Sequence, residues 1–439
     1  MTLSELTIVE HGIVISLDEK NRVFKDGAVA IREDRILEVN KTSVINKKYK
    51  ADAVINAKGK VVLPGLINCH THSGSIRGIG DNLPLYDWLE TYIKPETQEA
   101  NPAAVYAMAR LSYCEALKSG TTCILDMYRF MHKCADAAGE IGNRVVLVPN
   151  ISDQLDYYDK FEDNEKLVRE KNGSHDGRIN VWYGLHSFRD CSPELLEKVS
   201  EHAAQDNVGI HTHSNESISD VELAKERYGK RPIEHLYDHG ITGPRVLLAH
   251  CVWLSHREMK ILEETGTKVA HCPIANMKLG DGISPVPTLL ERGIKVGLGT
   301  DGSKESNGLD MFNVMKFTAL LHTVNSLDTT IMPADKVLWL TTQGGAQALG
   351  LEKQLGSLEA GKKADLIIVD MMKLHTTPIL FEPFNLISHL VYAVRGSDVD
   401  TVMVNGKVVV ENQVIKTVDE RQVIQEATDA AKDLLERMK

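Results

Sequence analysis

The sequence lacks any apolar run long enough to cross a membrane. No window in its 439 residues approaches the roughly 18 consecutive apolar residues that a spanning helix needs. The N-terminus, MTLSELTIVE, has no basic region followed by an apolar core, which a secretory signal would require. These absences predict a cytoplasmic protein that has no membrane partner.

An excess of basic residues and a paired cysteine motif are also missing. The formal net charge is -11 and the basic residues form no long run, which excludes nucleic acid as a partner because phosphates require clustered positive charge. The seven cysteines contain no Cys-x-x-Cys pair, a pattern typical of free thiols in a reducing compartment. With 43% hydrophobic residues, the chain can form the large core of a globular enzyme.

The middle of the chain alternates between short apolar runs and helical stretches. Eight such runs separated by helices, over roughly 290 residues, predict a (β/α)8 barrel of the TIM type. A doubly wound sheet is the structural alternative, but no Gly-x-Gly-x-x-Gly motif follows any run. The predicted strands are 61–67, 121–127, 144–149, 179–186, 208–213, 246–251, 268–273 and 295–301.

The two ends of the chain differ from this middle because both are rich in short β-strands. Asn405-Gly406 between two apolar runs is a strong hairpin signal near the C-terminal end. We therefore expect an α/β protein with the barrel in residues 61–355 and a smaller β-sandwich domain in residues 1–60 plus 356–416. Apolar residues at helical spacing predict a C-terminal helix in residues 417–439.

Histidines close several of the predicted strands. His70 and His72 follow the first run, and because side chains alternate along an extended backbone, both can bind one metal ion. Active sites of parallel barrels lie at the C-terminal ends of the strands, so a shared site is predicted there. The other residues at these ends are His186, His211, His213, His250, His271 and Asp301.

Five motifs carry a resemblance to a known family. They are Pro64-Gly65-Leu66-Ile67-Asn68-Cys69-His70-Thr71-His72, His213-Ser214-Asn215-Glu216, Ala249-His250-Cys251, His271-Cys272-Pro273 and Gly299-Thr300-Asp301-Gly302. Together they resemble the amidohydrolase superfamily. Within it they are similar to one branch that contains the triazine hydrolases and the aminopurine deaminases. The deaminases of this branch act on guanine, S-adenosylhomocysteine or methylthioadenosine.

The resemblance implies one divalent metal ion per subunit, zinc or in some relatives iron. His70, His72, His213 and Asp301 would be its ligands. Binuclear relatives carry a lysine on the fourth strand, and the run 179–186 contains none. His211 lies on the same strand face as His213 and is an alternative ligand, but only His213 has a glutamate, Glu216, at the three-residue offset of the family.

The same resemblance implies hydrolytic deamination of an amino-substituted nitrogen heterocycle with release of ammonia. Asp301 would take a proton from the metal-activated water, Glu216 would protonate a ring nitrogen, and His250 would orient the water. A carboxylate base and a carboxylic acid in one site suit such a reaction. The expected substrate contacts are Trp88, His186, Arg189, Glu216 and His271.

Two departures from the family pattern bear on the substrate. Nucleoside deaminases hold the ribose with Pro-x-x-Glu or Pro-x-Glu, whereas this chain has Lys94-Pro95-Glu96. They also tend to have an arginine after the third strand, where this chain has Val148-Pro149-Asn150. These departures favour a free ring, namely a triazine, a purine base or a pterin, over a nucleoside.

Two alternative functions remain open from the sequence. One is hydrolytic removal of chloride or an alkylamine from an s-triazine at the same ring carbon. The other is a non-catalytic barrel that serves as a scaffold, although such proteins lose metal ligands and this chain retains the complete set. The resemblance also implies a homodimer or homotetramer.

Overall fold

The computed structural model describes residues 5–80 and 82–439 of the chain. In these residues strands β1 to β18 are Leu6–Ile15, Val23–Arg32, Arg35–Lys41, Ala53–Asn56, Lys60–Pro64, Leu66–Thr71, Thr121–Tyr128, Arg144–Pro149, Ile179–Val181, Tyr183–Ser187, Ile210–Ser214, Val246–His250, Lys268–His271, Val296–Leu298, Leu366–Asp370, Val399–Val404, Lys407–Glu411 and Val414–Ile415.

The α-helices alternate with the strands through the middle of the chain. Helices α1 to α18 are Thr42–Lys48, Leu85–Trp88, Lys94–Glu99, Pro102–Lys118, Met131–Ile141, Phe161–Lys171, Ser174–Gly177, Pro193–Gln205, Ile218–Tyr228, Pro232–Asp238, His256–Thr265, Pro273–Leu279, Val286–Glu291, Met311–Ser326, Ala334–Leu340, Gln343–Leu349, Leu386–Tyr392 and Glu420–Arg437. A π-helical turn, Leu89–Ile93, joins α2 to α3. No helix in the described residues is long and apolar enough to cross a membrane.

Strands β6 to β14 form two parallel sheets in the middle of the chain. One sheet has the order β6-β7-β8-β9 and the other the order β10-β11-β12-β13-β14. Only Trp182 separates β9 from β10. Beyond the end of β14, the backbone N–H of Asp301 donates to the carbonyl oxygen of His70 in β6 at 3.0 Å. The predicted α/β class is confirmed, and the strand order is consistent with the expected barrel.

The first predicted strand is wrong in one respect, because residues 61–67 do not form a single strand. Lys60–Pro64 pairs with β1 and β15 in the terminal sheet, whereas Leu66–Thr71 begins the parallel sheets. The break falls at Gly65, where a Cβ atom would lie 2.1 Å from the hydroxyl oxygen of Thr122. At the point where the chain passes between the sheets, only glycine fits against Thr122.

Strands from both ends of the chain combine into one nine-stranded sheet. Its order is β18-β17-β16-β15-β5-β1-β2-β3, and β4 pairs with β1. Strands β1 to β3 form an antiparallel meander, whereas β4 and β5 run parallel to β1. The predicted hairpin at Asn405-Gly406 is confirmed, since both residues have positive φ between β16 and β17. A sandwich arrangement of this sheet stays a prediction.

The C-terminal helix α18 packs against α4. Asp419 caps its first turn by accepting a hydrogen bond from the backbone of Arg421 at 2.8 Å. Val423, Ala427 and Leu434 are buried, whereas Ile424 is exposed, and Glu426 forms an ion pair with Arg110 of α4. A helix is thus present over Glu420–Arg437 of the predicted range 417–439, and it packs against a helix of the middle region while Glu420 accepts a hydrogen bond from Ile415 of β18 at 3.1 Å.

Candidate active site

A cavity lies at the C-terminal ends of the parallel strands. Side chains from six separate parts of the chain meet there. Five of these parts end or follow a strand, and the sixth belongs to the helical segment after β6. The predicted site residues that line it are His72, Trp88, His186, Arg189, His213, Glu216, His250 and Asp301. His70 lies beside them and is fully buried.

His72 and His213 direct ring nitrogens at each other across the cavity floor. The Nδ1 atom of His72 faces the carbonyl oxygen of Met127, and the Nδ1 atom of His213 lies 2.7 Å from the carbonyl oxygen of His186. Because a carbonyl oxygen only accepts, both Nδ1 atoms carry protons, and in a neutral ring Nε2 then has a lone pair. The two Nε2 atoms are 3.2 Å apart. Two facing lone pairs require a shared proton or a metal ion between them.

The protonation of His70 is set by His211. The Nδ1 atom of His211 lies 2.8 Å from the carbonyl oxygen of Leu247 and therefore donates, which leaves Nε2 of His211 as an acceptor. It accepts from Nδ1 of His70 at 2.8 Å. Nε2 of His70 thus presents a lone pair, and this buried atom has no hydrogen-bond partner among the described residues. The geometry favours His213 over His211 as a metal ligand, because Nε2 of His211 is already occupied.

Asp301 completes this group of donors. Its Oδ1 atom lies 3.5 Å from Nε2 of His70 and 3.4 Å from Nε2 of His72. Tetrahedral coordination with bonds of about 2.1 Å separates neighbouring ligand atoms by about 3.4 Å. Burial lowers the pKa of His70 to about 4, so its ring is neutral at pH 7, as metal binding requires. Burial raises the pKa of Asp301, but the surrounding histidines outweigh it and hold this pKa well below its usual range. The donors fit one divalent cation.

His250 is close to the same group, but its tautomer differs. The amide nitrogen of Asn276 lies 3.1 Å from Nδ1 of His250, so Nδ1 accepts and the proton is on Nε2. That Nε2 atom is 3.7 Å from Oε1 of Glu216 and 3.8 Å from Oδ2 of Asp301. His250 can therefore donate a hydrogen bond in the direction of the two carboxyl groups. Its protonated Nε2 atom has no lone pair to offer a metal ion.

Glu216 has the properties of a proton donor. Its side chain is buried, and burial, together with the neighbouring charge of Asp220, raises its pKa to about 8. The Asp220 carboxylate accepts a hydrogen bond from the backbone N–H of Glu216 at 3.0 Å, which holds the start of α9 against the site. A carboxylic acid that is largely protonated at neutral pH therefore lies beside the ionised Asp301.

Residues 61–409 match the model of the amidohydrolase family. The chain belongs to the amidohydrolase family. The 5'-deoxyadenosine deaminase of Methanosarcina mazei is 42% identical over 436 residues, which cover 98% of this chain and 99% of the relative. The 5-methylthioadenosine/S-adenosylhomocysteine deaminase of Syntrophobacter fumaroxidans is 39% identical over 423 residues, which cover 95% and 96%.

A solved structure shows the same fold. An adenosine deaminase from Xanthomonas campestris, determined with bound zinc, superposes with a TM-score of 0.93 at 28% identity and covers 98% of both chains. These comparisons confirm the predicted family, the enzyme class and hydrolytic deamination of an amino-substituted heterocycle. They also agree with a metal-dependent site in this amidohydrolase.

The predicted substrate contacts differ in where the structure places them. Trp88 is buried at the cavity wall, and His186 lies there with its Nε2 atom 3.1 Å from the hydroxyl oxygen of Tyr158. Arg189 also lines the cavity, but its guanidinium is paired with Asp220 at 3.2 Å. These three residues are in positions from which they can contact a substrate.

The structure does not bring His271 to the cavity wall. This last residue of β13 directs its Nε2 atom at Nε2 of His322 in α14, 3.3 Å away, and both rings are buried. The expectation that His271 contacts substrate is therefore corrected. Its ring faces the helix that packs behind the strand, and not the cavity.

Several polar residues that the sequence did not single out for the site also line the cavity. Four of them follow a strand: Arg129 after β7, Asn150 after β8, and Lys304 and Glu305 after β14. Ser75, Thr97, Tyr128 and Tyr158 line it as well. The signal that could have found the first four is the same one that found the histidines, a polar side chain within a few residues of a strand end.

Proposed function

We propose that this amidohydrolase holds one zinc ion through His70, His72, His213 and Asp301 and deaminates an adenine-type nucleoside. The observation that carries the proposal is the grouping of ligand atoms from His70, His72 and His213 within 4.8 Å of one another, with Oδ1 of Asp301 3.5 Å and 3.4 Å from Nε2 of His70 and His72. The names of the relatives, which refer to 5'-deoxyadenosine and 5-methylthioadenosine, support a nucleoside over the free ring that the two sequence departures favoured.

The donor set suits zinc, with three imidazole nitrogens and one carboxylate oxygen. Such a set also accepts iron(II), so zinc is proposed from ligand chemistry together with the zinc found in the Xanthomonas relative. A divalent cation bound here would lower the pKa of a water molecule from about 15.7 toward 7 and so supply a nucleophile at neutral pH.

The surrounding residues would then move the protons. Asp301 accepts the proton that water loses as its oxygen bonds to the ring carbon, and His250 donates a hydrogen bond to that oxygen. Glu216, protonated at neutral pH, donates to the adjacent ring nitrogen and makes the ring carbon more electrophilic. The amino group then takes the proton that Asp301 accepted from water, and the carbon–nitrogen bond breaks with release of ammonia, because ammonia is a far better leaving group than amide ion.

We also infer that the two parallel sheets close into one (β/α)8 barrel, with the terminal sheet as a second domain. The hydrogen bond from Asp301 to His70 supports closure, because it joins the end of the last strand to the first. On this proposal the barrel starts at Leu66 in place of residue 61, since Lys60–Pro64 pairs within the terminal sheet.

Ammonia release from zinc-loaded protein tests the function. The substrates are adenosine, 5'-deoxyadenosine, guanine, a pterin and an amino- or chloro-triazine. We expect ammonia from the two nucleosides and a loss of about 10²- to 10⁴-fold in kcat for Glu216→Gln, at unchanged zinc content. Glu222→Gln is the matched control, because Glu222 is exposed on α9, the helix that follows Glu216.

Two results would contradict the proposal. Chloride release from the chlorotriazine, with no ammonia from any substrate, would assign the site to another leaving group. Well under one metal ion per chain after supplementation with zinc or iron would indicate a scaffold without catalytic function.

A further inference from the structure

The positive charges at the cavity wall are already neutralised by acidic residues of the protein. Three cationic side chains line the cavity, and each has a carboxylate partner. The pairs are Arg129 with Asp159, Arg189 with Asp220, and Lys304 with Glu96. None of these cations is therefore available as a full counter-charge for another acid in the cavity.

The pair between Lys304 and Glu96 is part of the core. Both side chains are 1% exposed, and the second carboxylate oxygen of Glu96 accepts a hydrogen bond from the backbone N–H of Ile76 at 2.9 Å. Separating this pair would leave two buried charges without partners, which is strongly unfavourable. Lys304 is therefore committed to Glu96 and does not hydrogen-bond its neighbour in sequence, Glu305.

Glu305 is a buried acid that lines the cavity and retains an unused oxygen. Its Oε2 atom is buried and has no hydrogen-bond partner among the residues that the structure describes. The carboxylate lies against Gly302, where an added Cβ atom would be 2.0 Å from Oε2 and 2.9 Å from the Cβ atom of His72. This acceptor therefore lies beside the metal-binding histidines. Burying a carboxylate oxygen without a donor is costly, so a donor is expected from a bound molecule.

We propose that Glu305 accepts a hydrogen bond from a donor group of the substrate and thereby determines which substrates the enzyme prefers. The inference rests on the proposed function, because the donor is sought on an adenine-type molecule. Two sources offer the same chemistry, the hydroxyl groups of a sugar and a ring N–H of a free base. A carboxylate that accepts from a bound substrate discriminates against an analogue without the donor, because its oxygen is then left buried and unpaired.

Two pairs of substrates separate the two sources. Adenosine and 2',3'-dideoxyadenosine differ in sugar hydroxyl donors, and adenine and 9-methyladenine differ in one ring N–H. For the pair that supplies the donor, we expect wild-type kcat/KM to favour the donor-bearing member by about 10- to 100-fold. In Glu305→Ala this preference should fall to near one, and Glu305→Gln, whose amide oxygen still accepts, should keep part of it.

The preference is a ratio between two substrates in one preparation, so it does not depend on how much of a variant is folded. Glu170→Gln, at an exposed glutamate, controls for the loss of one negative charge. Unchanged ratios in Glu305→Ala, with kcat/KM lowered equally for all four substrates, would overturn the inference and indicate a structural or proton-transfer role. Failure of the wild-type enzyme to deaminate any of the four would instead contradict the proposed function.

Discussion

Replacing His211 by leucine is expected to weaken metal binding, although His211 is not among the proposed ligands. His211 determines which nitrogen of His70 carries the proton. Its own Nδ1–H donates to the carbonyl oxygen of Leu247, so its Nε2 accepts from Nδ1–H of His70. Leucine removes the acceptor. His70 can then carry its proton on Nε2, and that tautomer cannot bind a metal ion.

The size of the effect follows from the burial of both rings. His70 and His211 are each 0% exposed, so water cannot replace the lost acceptor. Leaving a buried N–H without a partner costs about 1 to 3 kcal/mol. Since about 1.4 kcal/mol corresponds to a tenfold change in affinity, zinc should bind roughly 10- to 100-fold more weakly, which is the range typical for residues that hydrogen-bond a metal-binding histidine.

Competition for zinc between the metal-free protein and a chromogenic chelator measures this affinity. Glu216 and the rest of the cavity stay unchanged in His211→Leu, and His211→Gln should recover most of the loss because its amide oxygen can accept from His70. His132→Leu, at an exposed histidine on α5, is the control. Wild-type affinity in His211→Leu at an unchanged melting temperature would refute the reasoning. A loss beyond about 10⁴-fold would instead make His211 a ligand.

Three further outcomes follow from individual contacts. The kcat/KM profile should fall as the pH rises through about 8, or somewhat lower with a cation bound, because Glu216 must be protonated, and Glu216→Gln should lack this limb. Arg144→Met should lower the free energy of unfolding by about 3 kcal/mol in a denaturant titration, because it leaves the buried carboxylate of Asp365 unpaired between β8 and the terminal sheet. Tyr86→Phe should raise KM several-fold with little change in kcat, since it removes the hydroxyl that donates to Asp220 at 3.1 Å and holds α2 over the cavity.

The residues that we propose as metal ligands could be located in the sequence because they obey a local rule. Each lies at or just beyond the C-terminal end of a parallel strand, and an apolar run followed by a histidine or aspartate reveals that position in the sequence. The break of the first run at Gly65 could not be predicted in the same way. A continuous apolar run contains no sign that its two halves pair with different sheets, because that depends on β15, which is distant in sequence.

The orientation of individual rings was also beyond local reasoning. His271 ends its strand like the other histidines, yet its ring contacts His322, and only the packing of α14 behind the sheet decides this. The tautomers of the histidine rings in the site depend on carbonyl oxygens of other segments, such as those of Met127 and Leu247. Strand periodicity gives the residue position, whereas tertiary contacts determine the chemistry of each nitrogen.

The Lys94-Pro95-Glu96 segment departs from the family pattern, and the ion pair between Glu96 and Lys304 gives a physical reason for this departure. Glu96 does not line the cavity; Thr97, the next residue, does. Lys304 is buried and requires a buried acid, and Glu96 of α3 meets that requirement. Glu96 is 1% exposed, and its two oxygens already accept from Lys304 and from the backbone N–H of Ile76, which leaves it badly placed to bind a substrate. Glu305 directly follows Lys304 and has the unused oxygen, so on our proposal Glu305 accepts from the substrate at this wall in place of Glu96.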